Sequence, residues 1–137
     1  MYEVGTSAQV RSFHVMPGLP PPEGERHSHD YRLELVVTRD ELDERGMVVD
    51  LDVLDGALDG LVDLLDGADL DATVGVEAGV EAVTVEVFAR WLHARLAGVV
   101  GKVEGAALAV RVWETATAFG GYRAALDGSS VLAGPAG

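Results

Sequence analysis

The sequence predicts an α+β domain, a four-stranded antiparallel sheet with two helices on one face. Three observations predict it. Segments near both ends of the chain alternate apolar and polar residues with the period of a strand. Two stretches between them place apolar residues three and four apart, the period of a helix. Finally, 137 residues, 48% of them hydrophobic, suit one core.

Taken in order, residues 2–14 form the first strand, bent at Gly5. Tyr2, Val4, Ala8, Val10, Ser12 and His14 share one parity, and Glu3, Gln9, Arg11 and Phe13 the other. Residues 16–26 contain four prolines and two glycines, which hold neither a ladder nor a helix, so this is a loop. Residues 28–38 form the second strand, antiparallel to the first. Residues 39–46 are a charged connection, and Met47-Val48-Val49 a short extended piece. Asp50 then caps a helix over 51–65, whose stripe is Leu51, Leu54, Leu58, Leu61 and Leu65. Asp52, Asp55, Asp59 and Asp63 spread over its solvated face. Residues 66–83 read as a long loop. Thr84 opens the second helix, with Glu86 in its first turn, where a carboxylate favours the helix dipole. Phe88, Trp91, Leu92, Leu96 and Val99 are its stripe, and His93 beside it reads as a partly exposed structural histidine. Residues 106–114 and 118–126 are the last two strands. The order is β-β-α-α-β-β, with helices on one face of the sheet. Residues 1–127 read as a single domain, and 128–137, rich in Gly, Ala and Ser, as a flexible tail. So small a sheet has two raw edges, and oligomerisation through them is the expected remedy.

The net charge is −13, which disfavours nucleic acid and anionic membranes as partners. There is no cysteine, so disulfides, thiolate metal sites and thiol nucleophiles are excluded. No stretch reads as a signal peptide or a membrane span, and the cytoplasm is the expected location.

His27-Ser28-His29 carries the chemistry. Histidines at i and i+2 on a strand point the same way, at the end of the face continued by Tyr31, Leu33, Leu35 and Val37. His14 shares the corresponding face of the first strand. Three imidazoles in such a set make an open zinc site; the plainer alternative is two unrelated surface histidines before a strand. Glu114 falls on an apolar stripe, either as a strand-end residue just past the core or as an anchor for a guanidine-like edge.

In several places the chain resembles the 6-pyruvoyl-tetrahydropterin synthase and 6-carboxy-tetrahydropterin synthase family. His27-Ser28-His29-Asp30-Tyr31 matches its His-Gly-His-Asn-Tyr, and Gly46-Met47-Val48-Val49-Asp50 its Gly-Met-Val-x-Asp/Asn. Leu65-Asp66-Gly67-Ala68-Asp69-Leu70 matches Leu-Asp-His-x-x-Leu, and Val83-Thr84-Val85-Glu86 matches Pro-Thr-x-Glu. Trp113-Glu114-Thr115 matches the terminal Glu-Thr signature, with Tyr122 following. Val10 to His14 takes the place of Phe-x-Ala-Ala-His. The resemblance implies the tunnelling fold (T-fold), whose protomers join edge to edge into barrels, and a hexamer built as a dimer of trimers. It implies Zn2+ on His14, His27 and His29, and a pterin substrate anchored by Glu114 with Thr84, Glu86 and Thr115 near it. The implied activity is a zinc-dependent lyase acting on dihydroneopterin triphosphate or a related pterin.

The chain also departs from the family. The usual base is a cysteine shortly before the His-x-His pair; here Glu23 stands four residues before it. The usual Asp-His couple reads Asp66-Gly67. A subgroup of the family places glutamate where the cysteine stands and is associated with cleaving the side chain to 6-hydroxymethyl-dihydropterin. By that resemblance Glu23 or Glu25 is a candidate base, with Asp66 the surviving member of the couple. The alternatives are that both glutamates are solvated loop acids beside Arg26, and that the protein is a non-catalytic binder of metal or pterin.

Overall fold

A computed structural model describes residues 1–128 of the chain. Strands β1 (Tyr2–His14) and β2 (His27–Arg39) form one antiparallel hairpin, and β3 (Ala106–Trp113) and β4 (Phe119–Ala125) form another. β2 pairs with β3, so the sheet order is β1-β2-β3-β4. Helices α1 (Leu51–Leu65) and α3 (Val85–Val100) pack on one face, α1 against β1 and α3 against β3 and β4. Among the described residues no helix is long and apolar enough to cross a membrane. The predicted tail, from residue 129 onward, lies outside the described residues.

Side-chain parity builds the core. Val10, Ser12 and His14 on β1, Tyr31, Leu33, Leu35 and Val37 on β2, and Leu108, Val110 and Val112 on β3 are all buried on the helix side. Leu54, Leu58, Leu61 and Leu65 of α1 and Phe88, Trp91, Leu92 and Leu96 of α3 close over them. Asp50 caps α1 by accepting from Asp52 N, and Thr84 caps α3 by accepting from Val87 N at 3.2 Å. α3 approaches β4 so closely that a Cβ on Gly120 would lie 2.5 Å from Val85 Cγ2. That approach sets the start of α3 beside the β3–β4 hairpin.

The structure corrects several expectations. The predicted loop over 66–83 contains a π-helical turn (Asp71–Gly75) running into the short helix α2 (Val76–Ala78). Asp69 nucleates it: its backbone carbonyl accepts from Thr73 N and its Oδ1 from Asp71 N. Leu51 and Val99, predicted stripe residues, are exposed. Both lie in end turns; at the end of α3 it is Val100 that packs against the core. His93 is buried, not partly exposed, because Ala124 O across the sheet interface gives its Nε2 a partner at 3.3 Å.

One edge is also less raw than predicted. The chain after α1 runs alongside the end of β1, with Gly67 N donating to Arg11 O, Phe13 N to Ala68 O, and a parallel bridge between Phe13 and Asp69. Arg11 N donates to Asp66 Oδ1 and Val15 N to Asp71 Oδ2, both at 2.9 Å. Among the described residues, the first part of β1 and the outer edge of β4 have no strand partner.

Candidate metal centre

Register brings the three histidines together. His14 sits opposite His27 across the β1–β2 ladder, and Ser12 opposite His29. All three point to the helix side, where their rings lie 4.5–5.1 Å apart, centre to centre. One nitrogen from each falls within 4.8 Å of the others. Below them Tyr31 packs edge-on against His29 and Phe88, each at 5.3 Å. Burial, with the negative charges of Glu114 and Asp71, pushes the Tyr31 phenol above its ordinary pKa, so it stays neutral.

The second partners of the rings fix which nitrogen faces inward. His14 Nδ1 donates to Val83 O at 3.1 Å, and its Nε2 is buried without a hydrogen-bond partner among the described residues. His27 Nδ1 donates to Glu25 O at 2.8 Å, which frees Nε2 as a lone pair. His29 Nε2 lies 3.1 Å from His27 Nε2 and 3.0 Å from Glu114 Oε1, so one proton on His29 serves either neighbour. Burial, chiefly, holds the His29 imidazole below its ordinary 6.5; Glu114 and Glu23 oppose this, while His14 and His27 reinforce it. Neutral imidazoles are the form that binds metal.

This set fits a cation. A buried, unpartnered lone pair on His14 lacks its natural complement. Tetrahedral zinc with nitrogen ligands spaces them about 3.3 Å apart, close to the His27–His29 separation. Three imidazole nitrogens without a thiolate suit a divalent transition metal and leave part of its coordination open.

The other predicted site residues divide. Glu114 touches His29 directly, and its N–H closes the β3–β4 turn on Ala118 O. Thr84 caps α3, Glu86 in its first turn lies against Gly120 of the same hairpin, and Thr115 Oγ1 accepts from Thr117 N and Ala118 N within the turn. Glu23 is exposed but near enough for its charge to act on His29, and Met16 N donates to its carbonyl at 2.8 Å. Glu25 is exposed, and its carbonyl holds His27. Asp66 is engaged at the edge of β1 by Arg11 N. Sequence reasoning missed Val83, whose carbonyl orients His14, and Asp71, whose Oδ2 holds the residue after His14. Neither carries a local signal, since their partners lie more than fifty residues away in the chain.

Sheet, helices and histidine cluster together define a T-fold protein able to hold a metal ion at its strand ends. A model of the 6-pyruvoyl tetrahydropterin synthase family matches residues 4–125, and the chain belongs to that family. Solved structures agree on the fold. The Caenorhabditis elegans 6-pyruvoyl tetrahydropterin synthase is 20% identical with a TM-score of 0.70, over 90% of this chain and 96% of that one. The Plasmodium falciparum enzyme is 14% identical with a TM-score of 0.73, over 90% and 98%. The Plasmodium vivax enzyme is 11% identical with a TM-score of 0.71, over the same shares of 90% and 98%. Two further structures of the vivax enzyme replace a catalytic glutamate, by alanine in one and by cysteine in the other. No curated protein matches the chain significantly by sequence.

Proposed function

We propose that this protein is a zinc-dependent pterin lyase acting on dihydroneopterin triphosphate or a related pterin. The observation that carries the reading is the convergence of His14, His27 and His29 on one point, in a chain of this family. These three residues would hold the metal. Bound there, zinc supplies Lewis-acid polarisation of oxygen atoms on the substrate side chain and acidifies its hydroxyls.

The chain's own residues do the rest. Glu114, beside His29, offers two acceptor oxygens to a guanidine-like ring edge. Glu86 and Thr115 at the same hairpin, with Thr84 at the cap of α3, would complete the ring site. Glu23 takes the place of the usual thiol base, as a carboxylate whose charge reaches His29. The glutamate named as catalytic in the vivax enzyme supports this substitution. Glu25 is the second candidate, though only its carbonyl contacts the cluster. Asp66 enters as the surviving half of the Asp-His couple.

The missing cysteine and Gly67 favour a second reading within the same class. In it a glutamate base cleaves the side chain to 6-hydroxymethyl-dihydropterin. The outer edges of β4 and of the first part of β1 suit assembly into the family's hexamer. We further place the protein in the cytoplasm, with residues 1–127 as one domain.

Metal analysis of the purified protein, followed by incubation with dihydroneopterin triphosphate and identification of the product, tests the proposal. About one zinc per chain with a pyruvoyl or carboxy product supports the first reading, and 6-hydroxymethyl-dihydropterin the second. Protein without zinc refutes both, and zinc without turnover leaves a non-catalytic binder. Glu23→Gln lowers kcat by about 10²- to 10⁴-fold if Glu23 is the base, while Glu25→Gln does not.

A further inference from the structure

The proline-rich segment 16–26 is compact: Gly24 N donates to Pro20 O and Glu25 N to Pro22 O, both at 3.2 Å, and Met16 N closes its neck on Glu23 O. These bonds lie within the loop. The Glu25 carbonyl, which accepts from His27 Nδ1, ties the loop to β2; its tie to β1 is Arg26, the last residue before the histidine pair. Its guanidinium lies 4.0 Å over the ring of Phe13, and its Nε lies 3.8 Å from Asp69 Oδ2. Both partners sit on rigid backbone. Phe13 belongs to β1, next to His14, and Asp69 is bridged to Phe13. Phe13 points to the face of the sheet away from the histidines. The loop therefore crosses the end of the ladder, with Arg26 gripping one face while His27 joins the cluster on the other.

We infer that Arg26 is a positioning residue: stacked on Phe13 and paired with Asp69, it clasps the 16–26 loop to the sheet and so holds Glu23 beside the histidine cluster. The inference rests on Glu23 as the base only for its catalytic consequence; the clasp stands on geometry. An exposed ion pair alone contributes little, but a guanidinium held flat on an aromatic ring adds to it.

Amide exchange and steady-state kinetics on the zinc-loaded full chain test it. Arg26→Ala speeds exchange at the Met16, Gly24 and Glu25 amides by about tenfold, keeps about one zinc per chain, and lowers kcat with KM for dihydroneopterin triphosphate unchanged. Arg26→Lys, which keeps a cation over the ring, restores part of both. Phe13→Leu reproduces the faster exchange with Arg26 intact. Unchanged exchange in Arg26→Ala overturns the clasp. Faster exchange with undiminished kcat overturns its role in holding the base. If the wild-type protein turns nothing over, the reading of Glu23 falls by itself, while the exchange rates still uphold or overturn the clasp.

Discussion

Two buried histidine environments in this fold lead to opposite outcomes. At the end of the sheet, His14 is buried with its inward nitrogen unpartnered and two more imidazoles facing it. In the middle of α3, His93 is as buried, yet its Nε2 faces Ala124 O, and its ring packs on Tyr122 at 5.1 Å. Burial is common to both, so burial does not mark a ligand. What differs is convergence. Antiparallel register sets His14 opposite His27, and strand alternation adds His29 on the same face, whereas His93 meets backbone groups of Ala124 and Leu108 and no second imidazole among the described residues.

The contrast breaks most sharply on metal. Zinc at a thousand times its dissociation constant should stabilise the wild-type protein by about 4 kcal/mol. His27→Ala should abolish that gain, and His93→Ala should keep it; denaturant unfolding with and without zinc reads both. If His27→Ala still gains stability from zinc, the ligand assignment is wrong. The next effect belongs to the structural histidine. His93→Ala should cost about 2–4 kcal/mol in the apo protein, through the cavity left between α3 and β4. A cost below 1 kcal/mol would show that the site collapses freely.

A smaller effect sharpens the sheet end. Glu114→Gln removes the negative charge beside the inward-facing His29 Nε2 and should weaken zinc binding about tenfold by competition titration, the size of one close charge interaction near the surface. The smallest is pH dependence. Burial depresses the His93 pKa below its ordinary 6.5 against the pull of its backbone hydrogen bonds. A depressed histidine contributes stability that is complete above the unfolded value and is lost as pH falls toward and through the folded one. The stability of the apo protein against unfolding should therefore fall as pH drops below 6.5, and His93→Gln should flatten part of that slope. An unchanged slope in the variant would show that His93 does not titrate with folding.

The sequence made the strand faces legible because period-two patterns in β1, β2 and β3 meet a core on one side only. It made the histidine cluster legible for the same reason: His14, His27 and His29 all fall on the core parity. The burial of His93 was not legible, since the carbonyl that satisfies it sits on β4, 31 residues later. Nor was the π-helical turn, whose sequence carries no amphipathic period and is organised by Asp69 and Asp71. The sealed end of β1 was hidden for a related reason. Backbone groups of residues 67 and 68 do that pairing, and backbone groups leave no trace in composition.

The hydrogen bond from His14 Nδ1 to Val83 O ties two chemistries together. Val83 is the residue immediately before Thr84, the cap of α3 and the start of the proposed ring site. A ring seated there and a cation held by His14 would share one peptide unit, and under the proposed function their binding equilibria should be linked. By whatever factor a bound ring tightens the cation, the cation tightens the ring by the same factor. Measuring pterin affinity with and without zinc, and zinc affinity with and without pterin, closes that cycle and gives the linkage as one number.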